Sequence, residues 1–466
     1  MNALASNFGF CVDDFGKSLS LVHGDHFKIY PVEHNGRFAE DLRARQIDLI
    51  RIATAVHVAD SWALRRFARS RLRSPHLRVE VLDFAYWSKP DVMDLLKRCV
   101  DFLSGGDDWR FSFIADKKIR HRPSPSLFPK YHHGAIVSPY SGGLDSSSGL
   151  AIRAAAEPDR TIVPVTVRHQ TQKAQLLRRQ FNLLTEAKVL KPRNFRPFQA
   201  GVFICKEQVQ REFGEEFREV THRCRPMLFM TISGLVANSF CTPEVEVYES
   251  GVGAINLPLV VGPADYRTTR STHPRFLQML SALLSHVNDA PVKYVLPFIF
   301  NTKAEMAEAI KTKELEELAR SSVSCILHPL KRKGARQCGV CPACIFRRHA
   351  MYKAGIVEDS AAYGTDLFCE SEPAKSYSPN QLRAVRLFHE QIASLRSLDS
   401  GVVPSFFRQY LMATDAVSTE KEVERFGAVY GRFRREWLPL IVEARRRNFP
   451  WINPIQSRTL VEGVAS

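Results

Sequence analysis

At 466 residues the chain is long enough for two or three domains, and its 45% hydrophobic and 24% charged content is that of a soluble globular protein. No apolar run approaches the roughly 20 residues of a membrane span, and residues 1–10 lack the basic start and apolar core of a secretion signal, so a cytoplasmic protein without a membrane partner is expected. The net charge of +16 suits polyanionic partners, but the arginines are dispersed (Arg65, Arg66, Arg69, Arg71 and Arg73; Arg432, Arg434, Arg435 and Arg445 to Arg447) with no aromatic-interleaved stripe, which disfavours direct nucleic-acid binding.

Residues 1–125 read as an α+β unit. Strands are expected at 17–22 and 27–32, then one long helix over 41–72 with Ile52, Val56, Ala59, Ala63 and Phe67 on one face. A strand at 78–84, a helix at 91–103 and a strand at 109–114 follow. A linker over 121–133, rich in proline and basic residues and including His132 and His133, closes this part.

Residues 134–365 change to alternating elements. Strands at 135–139, 161–167, 199–204, 245–249 and 292–300 are separated by helices at 147–156, 174–187, 226–240, 274–286 and 303–320. That succession predicts an α/β fold, a doubly wound parallel sheet whose ligands bind beyond the carboxyl ends of its strands. The loop after the first of these strands runs Ser-Pro-Tyr-Ser-Gly-Gly-Leu-Asp-Ser-Ser-Ser-Gly, from Ser138 to Gly149. A glycine pair between strand and helix lets backbone N–H groups close around an anion at the helix N-terminus. There is no lysine where a Walker A loop needs one; Ser141, Ser146, Ser147 and Asp145 surround the glycines instead.

The stretch Ser141-Gly142-Gly143-Leu144-Asp145-Ser146 resembles the PP-loop of the N-type ATP pyrophosphatases, which hold the pyrophosphate of ATP while AMP passes to an oxygen. The resemblance implies an ATP cradle from Ser141 to Ser147, catalytic roles for Ser141, Asp145 and Ser146, and Mg2+ near Asp145.

Ten cysteines in a cytosolic chain do not argue for disulfides. Four of them, Cys325, Cys338, Cys341 and Cys344, have the spacing to turn around one ion, and a closed four-thiolate site points to structural Zn2+. An iron–sulfur cluster uses the same ligand set. The others, Cys11, Cys99, Cys205, Cys224, Cys241 and Cys369, read as core residues.

A PP-loop domain ending in such a cysteine array and followed by Arg347-Arg348 resembles the 7-cyano-7-deazaguanine synthases, the QueC family. Residues 170–176, QTQKAQL, are similar to that family's Gln-Arg-His-x-Ala-Glu-Leu stretch and assign Gln170 to substrate; Arg225 resembles a family helix start, with Pro226 in place of Asn; and Asn301-Thr302-Lys303-Ala304-Glu305 matches a family segment. The likeness covers residues 134–365. Arg168-His169 replaces the family's Asp-Tyr, and Glu249 to Asn256 with Thr269 to Pro274 is not its usual substrate signature. Within these stretches Glu249 and Asn256 are candidates for reading a purine-like edge, Arg270 and His273 for a carboxylate or phosphate, and Lys303 for phosphate. Each has a plainer reading beside it: a strand-end turn, a helix N-terminus, a helix start. Lys331, Arg332 and Lys333 read as a solvated basic turn in the metal loop.

Residues 377–466 read as a helical extension opened by Ser378-Pro379, with an amphipathic helix at 420–447. Family synthases lack this part and residues 1–122, and the enlarged chain resembles the QueC-like proteins of bacterial anti-phage systems, such as the Qat type. The resemblance implies an ATP-dependent C–N ligase: a carboxylate like that of 7-carboxy-7-deazaguanine is adenylated, then converted to an amide by an amine, which a partner protein encoded alongside could supply. The competing expectations are a 7-cyano-7-deazaguanine synthase of queuosine-type biosynthesis, a PP-loop tRNA-modifying enzyme, and an assembly protein that binds nucleotide without catalysis.

Overall fold

The computed structural model describes residues 7–12, 17–23, 25–32, 42–62, 72–117, 134–168, 172–213, 223–258, 269–326, 336–366 and 379–448. The first part contains β1 (Phe8–Val12), β2 (Lys17–Leu21), β3 (Phe27–Val32), α1 (Ala44–Trp62), β4 (Pro75–Val81), α2 (Phe84–Trp87), α3 (Pro90–Ser104) and β5 (Arg110–Ala115). The middle part runs β6 (Ile136–Pro139), α4 (Leu144–Ala156), β7 (Ile162–Arg168), α5 (Gln172–Glu186), β8 (Phe198–Ile204), α6 (Lys206–Phe213), α7 (Arg225–Ser239), β9 (Glu244–Glu246), α8 (Gly251–Ile255), α9 (Pro274–Asn288), β10 (Lys293–Val295), α10 (Lys303–Glu308), α11 (Glu316–Ser321) and α12 (Pro342–Lys353). The last part is helical: α13 (Pro379–Ser394), α14 (Ser405–Ala413) and α15 (Glu420–Arg446).

Two sheets form, ordered β2-β1-β4-β5 and β10-β9-β6-β7-β8-β3. In the larger, β6 to β10 are parallel, while β3 pairs antiparallel with β8 from Phe27–Ile204 to Val32–Gln199. Strand alternation supplies both faces. Val137, Val163 and Val165 pack with α7, α9 and α1, whereas Ile136 and Ile162 pack with α4, α5 and α11. The N-terminal part thus adds a strand to the central sheet and shares its core.

One buried cluster fastens the join. The Arg73 guanidinium meets Asp60 at 2.6 Å and Asp107 at 3.0 Å, and the Cys224 N–H, just before α7, donates to Asp60 at 2.9 Å.

Several expectations need correction. The strand placed at 78–84 sits at Pro75–Val81. The strand expected over 292–300 stops at Val295, because Pro297 offers no N–H and the chain turns, with the Ile299 N–H on the Leu296 carbonyl and the Asn301 N–H on that of Phe298. The helix expected over 303–320 is two short ones, Lys303–Glu308 and Glu316–Ser321, and between them Thr312 Oγ1 accepts the Leu315 N–H in a turn that interrupts the helical run. The long helix expected over 41–72 is described only as Ala44–Trp62. Cys99 and Cys224 are buried and Cys11, Cys205 and Cys241 partly so; Gln170, Lys331, Arg332, Lys333, Cys369 and the His132–His133 linker lie outside the described residues. Among the described residues no helix is long and apolar enough to cross a membrane.

Candidate active site and metal centre

The loop at the carboxyl end of β6 turns through Gly142 in the left-handed region, φ 77°. A side chain there would be strained, and its Cβ would meet Gln180 Oε1 at 3.2 Å. Gly143 caps α4 in extended backbone, so the first-turn amides of the helix face outward beside the loop. The serines lace the turn: Ser141 and Ser146 hydroxyls share a hydrogen bond of 3.1 Å, Ser146 Oγ donates to the Gly143 carbonyl at 3.1 Å, and the Gly143 N–H donates to Ser141 Oγ at 3.2 Å. Ser147 is fully buried, and its hydroxyl and that of Tyr140 share a 3.1 Å hydrogen bond; the Tyr140 hydroxyl donates to Gln180 Oε1 at 2.9 Å.

The loop is also held from outside. Gln180 Nε2 donates to the Gly142 carbonyl at 3.1 Å, as does the Val323 N–H at 2.9 Å, and the Leu144 N–H donates to Ser324 Oγ at 3.3 Å. Gln180, Val323 and Ser324 are supports that the sequence reading missed. A glutamine in mid-helix and a Val-Ser pair before a cysteine carry no local signal of that role.

Three charged groups meet beyond the loop. Lys303 Nζ pairs with Asp145 Oδ2 and stands 3.8 Å from Glu249 Oε1. Asp145 Oδ1 is buried and makes no hydrogen bond. Burial works against charge on Lys303, but the Asp145 and Glu249 carboxylates outweigh it and hold its pKa above the usual value. Removal from water, reinforced by the Asp145 charge, raises Glu249 to about 8, with Lys303 pulling the other way. Asp145 thus has Oδ2 paired with Lys303 and Oδ1 without a hydrogen bond, while the neighbouring Glu249 carboxyl is shifted towards its protonated form. A buried carboxylate oxygen without a hydrogen bond, beside a glycine loop at a helix N-terminus, is a hard donor of the kind that suits Mg2+.

The other expected substrate residues stand apart from this triad. Arg225, Arg270 and His273 open or precede α7 and α9, which run back to feed β9 and β10, and so share the carboxyl edge of the sheet with the loop. Arg225 lies 5.6 Å over the Phe229 ring, and burial lowers its pKa to about 10. Arg270 stacks 4.6 Å from the Phe102 ring and donates to the Phe102 carbonyl at 3.2 Å. His273 is the N-cap of α9: Nδ1 accepts the Arg275 N–H at 3.2 Å, the ring is buried against Phe102, and burial lowers its pKa to about 3. It is neutral at physiological pH. Asn256 ends α8 in the left-handed region and donates to the Thr269 carbonyl at 2.9 Å.

The four cysteines converge. Sγ atoms of Cys325, Cys338, Cys341 and Cys344 all lie within 4.8 Å of one another, and all four residues are buried. Cys338 and Cys344 sulfurs are 3.7 Å apart, close to the ~3.8 Å between sulfurs on tetrahedral Zn2+ with bonds of ~2.3 Å. Backbone N–H groups of Cys338 and Cys341 point at Cys325 and Cys338 sulfurs, each at 3.3 Å, as donors to thiolate would. The donor set fits Zn2+ as a closed, structural site. Gln337 braces the cluster, its amide accepting the Cys325 N–H at 3.1 Å and donating to the Ser322 carbonyl at 2.9 Å. Arg347 is buried in the next layer, contacting Glu358, the Tyr363 hydroxyl at 2.6 Å and the Ala319 carbonyl at 2.9 Å. Residues 322–325 thus form a short strap with the glycine loop at one end and the first thiolate at the other.

No curated protein matches the chain in a sequence search. Residues 135–355, a little under half of the chain, match the family model described as "Queuosine biosynthesis protein QueC". The matched segment contains the glycine loop, the Asp145–Lys303 pair, Glu249 and all four clustered cysteines. The chain therefore carries a QueC-like PP-loop domain, of a family of ATP-using enzymes, set between two further parts.

Proposed function

We propose that the protein activates a carboxylate by adenylation on ATP and passes the acyl group to an amine. The observation that carries this reading is the Asp145–Lys303–Glu249 group set against a braced glycine loop inside the QueC-like segment. ATP would lie with its pyrophosphate on Ser141 to Ser147. Mg2+ would be held through Asp145 Oδ1 and would neutralise phosphate charge. A carboxylate oxygen of a 7-carboxy-7-deazaguanine-like acid attacks the α-phosphorus, the bond to the bridging oxygen breaks, and pyrophosphate leaves towards Lys303 and the loop hydroxyls. These donors are fixed before the reaction, so they cost no reorganisation as charge develops. An amine then attacks the acyl carbon, AMP departs, and the amine loses a proton. Glu249, beside Lys303, is a proposed contact of the acid or its ring, and Arg225, Asn256, Arg270, His273 and Gln170 are further proposed substrate contacts.

We propose that the amine belongs to a partner protein, in an anti-phage setting, because the chain adds two structured parts to the QueC-like segment. Incubating the full chain with ATP, Mg2+, 7-carboxy-7-deazaguanine and either ammonia or the proteins encoded alongside separates the outcomes. An ATP-dependent mass adduct on a partner with release of AMP supports protein modification. A free amide or nitrile instead would assign the enzyme to deazaguanine biosynthesis.

A further inference from the structure

Helix α15 lies outside the QueC-like segment, yet three of its side chains grip the turn that presents Lys303. Glu436 Oε1 accepts the Thr302 hydroxyl at 2.6 Å. Arg432 Nε meets Glu305 at 2.7 Å, and its Nη2 donates to the Phe300 carbonyl at 2.6 Å. The Arg425 guanidinium sits 3.4 Å from the centroid of the Phe300 ring.

Thr302 and Glu305 are the two halves of a capping box: each accepts the backbone N–H of the other, at 3.1 and 2.9 Å. Lys303 is the first residue of the six-residue helix that they cap. So short a helix has almost no stability of its own, and its contacts decide where its first turn lies. The contacts here are polar and specific where a packing helix would need only apolar ones. Burying the Glu436 carboxylate, with Oε2 left without a hydrogen bond, costs free energy that a leucine would not. α12 braces the same point, since the His349 ring packs 5.0 Å from the Trp437 ring next to Glu436.

We infer that the C-terminal helix is a positioning element of the nucleotide site: Glu436 and Arg432 hold the Thr302–Glu305 turn so that Lys303 meets Asp145. The inference rests on the reading of Asp145 and Lys303 as the ATP site. It gives the C-terminal part a role in tuning the activation step from outside the QueC-like segment.

Binding of Mg·ATP to the full, zinc-loaded chain, measured by titration calorimetry, tests it without requiring the acid. Glu436→Leu and Arg432→Met should each weaken binding about tenfold, and Glu436→Gln, which keeps an acceptor for Thr302, should stay within about threefold of wild type. Lys303→Met should weaken binding at least as much, and adding Glu436→Leu to it should cost nothing further, since residues acting through one group are not additive. A merely structural role would lower the melting temperature without that coupling. Wild-type affinity in Glu436→Leu, or full additivity with Lys303→Met, overturns the inference while leaving the site reading intact. If Lys303→Met and Asp145→Ala both bind ATP normally, the site reading fails and the inference with it. Should Glu436→Leu not fold, the partly exposed Arg432→Met decides by the same coupling.

Discussion

Removal from water raises the pKa of Glu436 to about 7, and that of Glu249 lies higher still. The Glu249 pKa is raised, to about 8, so the protonated form is favoured in the folded protein. The associated stability is fully present at low pH and is lost as pH rises towards 8. Above that pH a second negative charge joins Asp145 beside the glycine loop proposed to hold ATP. ATP affinity should therefore fall above about pH 8 in the wild type and stay flat there in Glu249→Gln, read from binding isotherms between neutral and mildly alkaline pH. Asp145, the loop serines and the four cysteines could be picked out in the sequence because each sits in a short motif whose residue types have few other uses; Lys303 read equally as a phosphate contact or a helix start, and its pairing with Asp145 was not foreseen. Glu249 read as a candidate for a purine-like edge or as part of a strand-end turn, and its place beside Lys303 was not legible, since Asp145 and Lys303 are both more than fifty residues away. Glu436 was not legible at all, one glutamate among many on an amphipathic helix 134 residues from Thr302.

Among the elements, α4 carries a test of close packing. Gly149 lies inside that helix, where alanine normally stabilises by up to about 1 kcal/mol. Here a Cβ would stand 2.4 Å from Tyr248 Cβ, on a residue whose hydroxyl donates to Glu246 at 3.0 Å, which in turn pairs with Arg153 at 2.8 Å. Gly149→Ala should thus destabilise by roughly 1–3 kcal/mol, seen as a lowered melting temperature. The strap at residues 322–325 gives the metal a similar reach. One Zn2+ per chain is expected by elemental analysis, and Cys338→Ser should release it, lower the melting temperature and weaken ATP binding, because Val323 and Ser324 support the loop. A visible chromophore with bound iron would replace zinc by a cluster. The strands and helices of the central sheet followed from apolar runs and caps; the misplaced ends at 292–300 and 303–320 reflect a proline turn and a Thr312 turn that breaks the helical run.

For the whole molecule, the three parts share cores. Val137, Val163 and Leu228 pack in one cluster with Ile52, Val56 and Leu96, while Val252, Ile255 and Ile345 pack with Phe388, Phe433 and Trp437. A chain cut to residues 135–355 would expose both faces and should lack a cooperative melting transition, in contrast to the full chain. Neither shared core was legible in the sequence, where the linker at 121–133 suggested an independent N-terminal unit, because the pairing of β3 with β8 joins segments far apart in the chain. The functional claim for the whole is that this assembly serves one activation step. ATP–pyrophosphate exchange by the full, zinc-loaded chain with 7-carboxy-7-deazaguanine tests it most directly, beside Asp145→Ala. The account predicts exchange that needs the acid and is lost in Asp145→Ala; exchange absent from the wild type, or undiminished in the variant, would contradict it.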